Sequence, residues 1–209
     1  DEVVTRVIDC LEGSFSKFKK NSDFKKMKNN LMNEPLVFSH CLLTGMISCL
    51  IVDEIKWGTW NIKEKLITAS ILHDIGHSNS IFINHEFDTQ ETKSIASTSK
   101  EFRDHPLRGS ELVKEYDSVD ENIISIIKQH HESGDGKGFP SGLNNKSIIP
   151  ISAIFILAES FANYLINPKE NETKSDYLGF FKSVIEENKT GNFKEAYNGL
   201  VQVIKEVSE

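Results

Sequence analysis

The apolar residues of this chain recur at helical spacing along nearly its whole length. They fall three or four positions apart from Leu42 to Ile51, from Ile151 to Leu165 and again after Phe193. Nowhere do apolar and polar residues alternate as they do in a half-buried strand. A chain with this pattern buries its core between helices, so the sequence predicts an all-α fold.

Local signals predict where two helices begin and where one long loop lies. Asn61 and Ser118 are each followed three residues later by Glu, which is the spacing of a capping box. Residues 132–147 hold four Gly, one Pro and three Asn or Asp, a composition typical of a loop. We expect one helical domain over residues 35–209, with residues 1–34 as a helical lead-in.

Charge and cysteine content narrow the classes of function. A net charge of −7 argues against a groove for DNA or RNA and against binding to an anionic membrane surface. It leaves room for a small anionic substrate, because a bound cation dominates the field around it. Three cysteines without CxxC spacing favour a reducing, cytoplasmic location. No signal peptide is visible and no run of about 18 apolar residues stands out, so we expect no membrane span.

Histidines concentrate at the ends of apolar helical segments. His73 and Asp74 close one such segment in the run ILHDIGH, and His130 and His131 close another just before the glycine-rich loop. A single buried histidine is usually a satisfied core residue, but several buried imidazoles beside a carboxylate cost free energy unless they are paired together. A metal ion pairs them, and imidazole with carboxylate suits Fe, Mn, Zn or Ni. Glu159, at the edge of an apolar helical face, is either a further ligand or a solvated or salt-bridged side chain.

These residues resemble a known family, the HD-GYP phosphodiesterases. ILHDIGH at 71–77 is similar to the family's HDIGK motif, and HPLRG at 105–109 is similar to its HPxxG motif. HHESGDGKGFPSGL at 130–143 matches the family's HHExxDGxGYPxGL signature without a gap, and His40 matches the histidine of its opening helix. The resemblance covers about residues 38–165 and implies an HD-domain helical bundle with a Gly-rich loop after the HHE helix.

The resemblance also implies a binuclear metal centre. Seven side chains match the family's ligands, with one shared by both ions: His40, His73, Asp74 and Glu159 for the first ion, and Asp74, His105, His130 and His131 for the second. The two divalent ions, for which Fe or Mn is expected, would hold a bridging hydroxide that attacks the phosphorus of a phosphodiester. Asp74 and His77 are the residues expected to act in catalysis. The family's substrate is cyclic di-GMP, which is opened to the linear dinucleotide or cut to GMP.

The chain departs from the family at several positions. His77 stands in place of the HDIGK lysine, Phe139 in place of the GYP tyrosine, and Glu159 in place of the metal-binding Asp. Leu36 stands where some relatives have a Glu for a third metal, so two ions are expected. The family's RPYR segment is absent, so contacts to phosphate must come from other basic residues. The candidates are Arg103, Arg108, Lys137 and Lys169.

The role of His77 depends on where the preceding helix ends. If the helix continues through Gly76, His77 shares a face with His73 and points into the metal pocket. There it would act as a general acid or coordinate a metal ion. Otherwise it is a helix-terminal histidine bonded to a carbonyl.

Three functions remain open from the sequence. The chain is an active cyclic di-GMP phosphodiesterase, a degenerate domain that binds metal, nucleotide or a protein without turnover, or an HD phosphohydrolase with another nucleotide substrate. The missing RPYR segment and the missing lysine favour the second of these. The expected protein partners are an upstream sensor domain, since the chain begins without Met, or a second copy in a dimer.

Overall fold

The computed structural model describes residues 35–77, 99–116, 119–166 and 189–208, together with Ser22 and Lys25. These ranges form helices and no strands, which confirms the predicted all-α fold. The helices are α1 (Pro35–Asp53), α2 (Trp60–Leu72), α3 (Lys100–Lys114), α4 (Glu121–Gln129), α5 (Pro150–Ile166) and, after a short 3-10 helix at Gly191–Phe193, α6 (Lys194–Ser208). The lead-in predicted for residues 1–34 lies outside the described residues, apart from those two isolated positions.

Helix α5 forms the centre of the bundle. Its sequence is apolar around most of the helix, so every side chain from Ile151 to Ala162 except Ser160 is buried. Pro150 begins the helix, where its missing N–H costs nothing. Helices α1, α4 and α6 pack around α5, and α2 packs against α1 and α4, whereas α3 packs mainly against α4. A fully buried Phe such as Phe155 contributes roughly 1.5–3 kcal/mol relative to solvent exposure.

Helix α2 begins at Trp60, directly after the N-cap residue Thr59, and no side-chain capping bond forms there. The capping box predicted at Asn61 is therefore wrong. Its acidic partner Glu64 accepts a hydrogen bond from the Trp60 Nε1 one turn earlier, at 2.6 Å. The Glu64 carboxylate, which a capping box would bond to the backbone, is thus hydrogen-bonded to the Trp60 side chain.

Helix α4 is capped by Asp120, whose carboxylate accepts from the backbone N–H of Asn122 at 2.8 Å. The same carboxylate pairs with Lys65 on α2 at 3.0 Å. The capping box predicted from Ser118 placed this helix start two residues too early, and Ser118 itself lies outside the described residues. The anion at Asp120 suits a helix N-terminus, where the macrodipole is positive.

Helix α1 corrects the expectation that no stretch is apolar enough to span a membrane. By length and composition it qualifies, with 19 residues and a mean hydropathy of 1.9 in its 18-residue window. The sequence concealed this because Ser, Thr and His interrupt the apolar run without adding charge before Asp53. In the structure 56% of that window is buried, and α1 packs against α2, α5 and α6. Core helices of globular proteins pass the same test.

The turn that follows α2 lies directly against α3. A Cβ on Gly76 would stand 2.0 Å from the carbonyl oxygen of His105 and 2.6 Å from the backbone nitrogen of Gly109, so only glycine permits this approach. Arg108 fastens the contact by donating from Nε to the Gly76 carbonyl at 3.1 Å. The glycines of ILHDIGH and HPLRG thus meet, and they bring Asp74 next to His105.

Candidate metal centre

Five helical segments deliver the predicted ligands to one buried place. His40 lies on α1, His73 and Asp74 follow the last residue of α2, and His105 lies in the middle of α3. The remaining side chains are His130 and His131 after α4, and Glu159 on α5. All of these side chains are buried except His131, which is half-buried.

The first group joins α1, α2 and α5. His40 Nε2 lies 3.3 Å from His73 Nε2, and His73 Nε2 lies 3.0 Å from Asp74 Oδ2. A carboxylate oxygen of Glu159 and the two imidazole nitrogens lie within 4.8 Å of one another. The structure therefore brings together all the residues that the sequence assigned to the first ion, including the Glu that replaces the family's Asp.

The second group joins α3 with the end of α4. His105 Nε2 lies 3.0 Å from His130 Nε2, and His131 belongs to the same set of atoms within 4.8 Å. Asp74 turns its other oxygen toward them, with Oδ1 at 3.5 Å from His105 Nε2 and 3.7 Å from His130 Nε2. The two oxygens of one carboxylate thus face the two groups, in the position predicted for a shared ligand.

Backbone carbonyls orient three of these imidazoles in the same way. The Nδ1 atoms of His73, His105 and His130 each lie 2.6–3.0 Å from the carbonyl oxygen of the residue three positions earlier. A carbonyl can only accept, so each Nδ1 donates and carries the ring proton of the neutral imidazole. Each Nε2 therefore carries a lone pair that points toward the centre. This is the tautomer that a metal-binding histidine adopts.

Each of those carbonyls can accept from an imidazole because no backbone N–H four residues later forms the usual helical hydrogen bond with it. Near the C-termini of α2 and α4, the last carbonyls have no helical partner. In α3 the reason is Pro106, which lies inside the helix and has no N–H to offer the Phe102 carbonyl four residues earlier. His105 Nδ1 takes that carbonyl at 2.6 Å. In the HPLRG motif, Pro106 therefore leaves the Phe102 carbonyl unbonded by the helix, and that carbonyl orients His105.

The donor set fits a cation. With their Nδ1 atoms protonated, His105 and His130 direct two lone pairs at each other across 3.0 Å, an arrangement that repels unless a positive charge lies between them. Asp74 Oδ1 is buried and accepts no hydrogen bond. Ligand atoms about 2.1 Å from a metal ion lie about 3.0–3.4 Å from their neighbours, and the His40–His73 and His105–His130 separations of 3.3 and 3.0 Å agree with this range. Nitrogen and oxygen donors without thiolate suit Fe, Mn or Zn.

The electrostatics keep these groups in their ligand forms. Burial alone would raise the pKa of Asp74, but the neighbouring imidazoles of His73 and His105 outweigh it and hold the pKa well below its usual range. Burial lowers the pKa of His130, and the neighbouring His131 and His105 lower it further. An ionised carboxylate and a neutral imidazole therefore coexist at neutral pH.

His77 lies beside the centre for a different reason from the one predicted. Helix α2 ends at Leu72, so the condition for a shared helical face with His73, a helix that continues through Gly76, is not met. A turn takes over, in which His77 N–H donates to the Asp74 carbonyl at 3.0 Å. It returns the imidazole to the pocket, where Nε2 lies 3.8 Å from Asp74 Oδ1 and the ring stacks on His105 with centroids 3.8 Å apart.

The glycine-rich loop is held against the centre by Glu132, a residue that the sequence reasoning missed. Its buried carboxylate accepts from the backbone N–H groups of Ser141 and Leu143, both at 2.7 Å. The loop in turn lays the ring of Phe139 on His131, with centroids 4.6 Å apart. The available signal was the Glu of HHE itself, because a carboxylate next to buried ligands needs donors of its own.

The basic residues proposed for phosphate contacts fall in different places. Arg103 lies over the Phe139 ring, 5.8 Å from its centroid, and so borders the centre. Arg108 is engaged with backbone, donating to the Gly76 and Glu101 carbonyls. Lys137 is 82% exposed and pairs with Asp135 at 2.7 Å. Lys169 lies outside the described residues, so its predicted role stays a prediction.

Comparison with known proteins covers the same stretch of chain. The HD domain family matches residues 37–164, which is more than half of the sequence. The matched region begins before His40 and ends after Glu159, so it contains every residue of the two groups. None of the curated proteins matches this sequence.

Proposed function

Since the chain belongs to the HD domain family, we propose that it is a metal-dependent phosphohydrolase that opens a phosphodiester bond of a cyclic dinucleotide, with cyclic di-GMP as the first candidate. The ligand-lined pocket and the family membership together support the hydrolase class. The choice of a cyclic dinucleotide rests on the loop signature described below.

We assign two divalent cations, Fe or Mn, to the two groups of donors. The first position would use His40, His73 and Glu159, and the second His105, His130 and His131, while Asp74 would serve both. Bound there, the ions would lower the pKa of a water molecule and polarise the phosphoryl oxygens. The number and identity of the ions belong to the proposal.

The chain's own residues prepare the site for this chemistry. The carbonyls of Ser70, Phe102 and Ile127 fix three imidazoles so that their Nε2 atoms need no rearrangement when a cation enters. Asp74 supplies negative charge in a buried environment, where its interactions with cations are strong. On the loop side, Arg103 over Phe139 offers a positive charge that borders the centre and could contact a phosphate.

The observation that carries the substrate assignment is the run HHESGDGKGFPSGL and its arrangement in space. Two of its histidines belong to the second group, its Glu132 clamps the loop, and its Phe139 covers His131. A metal ligand, a loop clamp and an aromatic wall thus come from a single continuous segment. The resemblance to HD-GYP phosphodiesterases rests on that segment, and so does the expectation of cyclic di-GMP.

A substrate panel tests the proposal. The full chain, loaded with Mn²⁺ or Fe²⁺ under anaerobic conditions, is incubated with cyclic di-GMP, cyclic di-AMP, the linear dinucleotide and common nucleoside phosphates, and the products are separated by chromatography. We expect metal-dependent conversion of cyclic di-GMP to the linear dinucleotide or GMP, abolished by chelation. Turnover of another nucleotide alone would instead support an HD phosphohydrolase of different specificity.

A second candidate is a domain that binds a nucleotide without cleaving it. The observation in its favour is that two of the basic residues expected to contact phosphate are engaged elsewhere: Arg108 donates to two backbone carbonyls, and Lys137 is paired at the surface. Calorimetric binding of cyclic di-GMP to the metal-loaded chain, with no product after prolonged incubation, would favour this candidate over the hydrolase.

A further inference from the structure

We propose that His77 is itself a metal ligand, coordinating through Nε2 the same cation as Asp74 and His105. This inference rests on the proposed metal centre and adds to it a ligand that stands where the HD-GYP relatives have lysine. The second cation would then be held by five side chains of this chain: Asp74, His77, His105, His130 and His131.

Distances place His77 among the ligands. A nitrogen of His77, one of His105 and a carboxylate oxygen of Asp74 lie within 4.8 Å of one another. Asp74 Oδ1 is the common focus, with the Nε2 atoms of His105, His130 and His77 at 3.5, 3.7 and 3.8 Å. Three imidazole nitrogens that converge on a buried oxygen without a hydrogen bond define a cation position.

The orientation of the ring supports coordination. The His77 and His105 rings are stacked, with 28° between their planes, and the Nε2 atoms of both lie within 3.8 Å of Asp74 Oδ1. The side chain of His77 is fully buried, and Phe102 packs beside it with ring centroids 5.6 Å apart. A buried imidazole held in this orientation does not need to move to reach the ion.

The surroundings of His77 suit a cation better than a phosphate. An open cavity of about 330 Å³ adjoins His77, and two carboxylates, Glu111 and Glu115, line it. Arg108 also borders this cavity, but its guanidinium donates to the Gly76 and Glu101 carbonyls. Carboxylates repel a phosphate and attract a metal ion, so the cavity beside His77 is a poor place for a phosphate. A general acid for an anionic leaving group would belong on the opposite side.

The sharing of His105 decides how many cations are involved. His105 belongs both to the set with His130 and His131 and to the set with Asp74 and His77. Its Nδ1 is committed to the Phe102 carbonyl, so it has a single lone pair to give. One ion must therefore serve both sets, and His77 completes its shell instead of creating a third ion site.

The test separates coordination from packing with two variants, His77→Ala and His77→Phe. The phenylalanine keeps a buried ring stacked on His105 but has no lone pair, whereas alanine removes both. Affinity for Mn²⁺ and Co²⁺ is measured by chelator competition, the bound metal is counted by elemental analysis, and the visible spectrum of the Co²⁺ form reports a changed shell. Circular dichroism checks that each variant is folded.

We expect both variants to lose at least about tenfold in affinity for one of the ions, with an altered Co²⁺ spectrum. Wild-type affinity and spectrum in His77→Phe would overturn the inference, whatever His77→Ala shows, because the ring then acts by packing alone. The proposed function is judged separately, on turnover by the wild-type protein. A wild-type chain that binds metal but cleaves no nucleotide would refute that function and leave the His77 result intact.

Discussion

Asp74 is the residue on which both halves of the centre depend, because its two oxygens face different groups of imidazoles. We expect Asp74→Ala to remove both ions, since each position loses its only shared anion and repulsion between imidazoles remains. Elemental analysis after desalting measures the bound metal. Asp53→Ala is the matched control, because Asp53 is largely exposed and pairs with Lys63 at the surface of the described helices. Retention of both ions in Asp74→Ala would contradict the bridging role.

Phe139 offers a second prediction, which concerns the hydroxyl that the family's tyrosine carries. The ring already packs on His131 and under Arg103, and tyrosine would preserve both contacts. We expect Phe139→Tyr to change the metal content little and to leave the shape of the loop unchanged. Metal analysis and the near-ultraviolet circular dichroism spectrum check this. A sharp loss of metal would show that the site is shaped by the absence of the hydroxyl.

Single residues show where sequence reasoning works and where it fails. The grouping of His40, His73 and Glu159 follows the sequence prediction, because family motifs encode chemistry position by position. The engagement of Arg108 with the Gly76 carbonyl was not predicted, because a side chain that bonds a distant backbone group leaves no periodic trace. The assignment of Arg108 to phosphate contact rested on its charge alone, and charge does not show where a side chain points in the fold.

At the scale of elements, Pro106 links the stability of α3 to the metal centre. A proline inside a helix costs about 3 kcal/mol, and here it frees the Phe102 carbonyl for His105. In Pro106→Ala the new N–H competes for that carbonyl and restores the helical bond. We therefore expect a higher melting temperature for the metal-free protein together with an affinity for metal about 10–100-fold lower. Thermal unfolding and chelator competition measure the two effects.

Leu107→Ala is a suitable control for Pro106→Ala, because Leu107 is a neighbouring exposed position on the same helix. It should leave metal affinity unchanged. If Pro106→Ala gained stability without losing affinity, the proline would not be the source of His105 orientation.

Helices were predicted more reliably than their ends. The long apolar stripes of α1 and α5 follow from periodicity alone, because burial of one face dominates over local preference. The starts of α2 and α4 differ from the predictions, and the end of α2, which the sequence left open, lies at Leu72. Those boundaries are decided by tertiary contacts, such as the pairing of Asp120 with Lys65 and the approach of Gly76 to α3.

At the scale of the whole molecule, the buried centre makes the metal-free protein sensitive to acid. The pKa of His130 in the folded state lies well below that of the unfolded chain, so the unfolded chain takes up a proton first as pH falls below about 6.5. The folded pKa of Asp74 is also lowered, so its contribution to stability is present above about pH 4 and lost below it. Both effects reduce the free energy of unfolding on acidification.

We therefore expect the urea midpoint of the chelated protein to fall steadily from pH 7.5 to pH 5.5, through His130, and further below pH 4, through Asp74. Equilibrium unfolding at fixed ionic strength measures it. His130→Asn, which does not titrate, should flatten the upper part of this dependence. A midpoint independent of pH over the whole interval would contradict the assignment of a neutral buried imidazole to His130.

The ligands lie far apart along the chain, and α3 packs mainly against α4. A cation bound by His105, His130 and Asp74 would cross-link α3 to α4 and to the turn after α2. We propose that without the ion α3 opens before α1 and α5, because it packs mainly against a single helix, and that with the ion the bundle opens as one cooperative unit. We expect hydrogen–deuterium exchange to slow on metal loading, most of all for the amides of Lys100–Lys114. Equal protection of α3 and α5 in the metal-free chain would contradict this hierarchy.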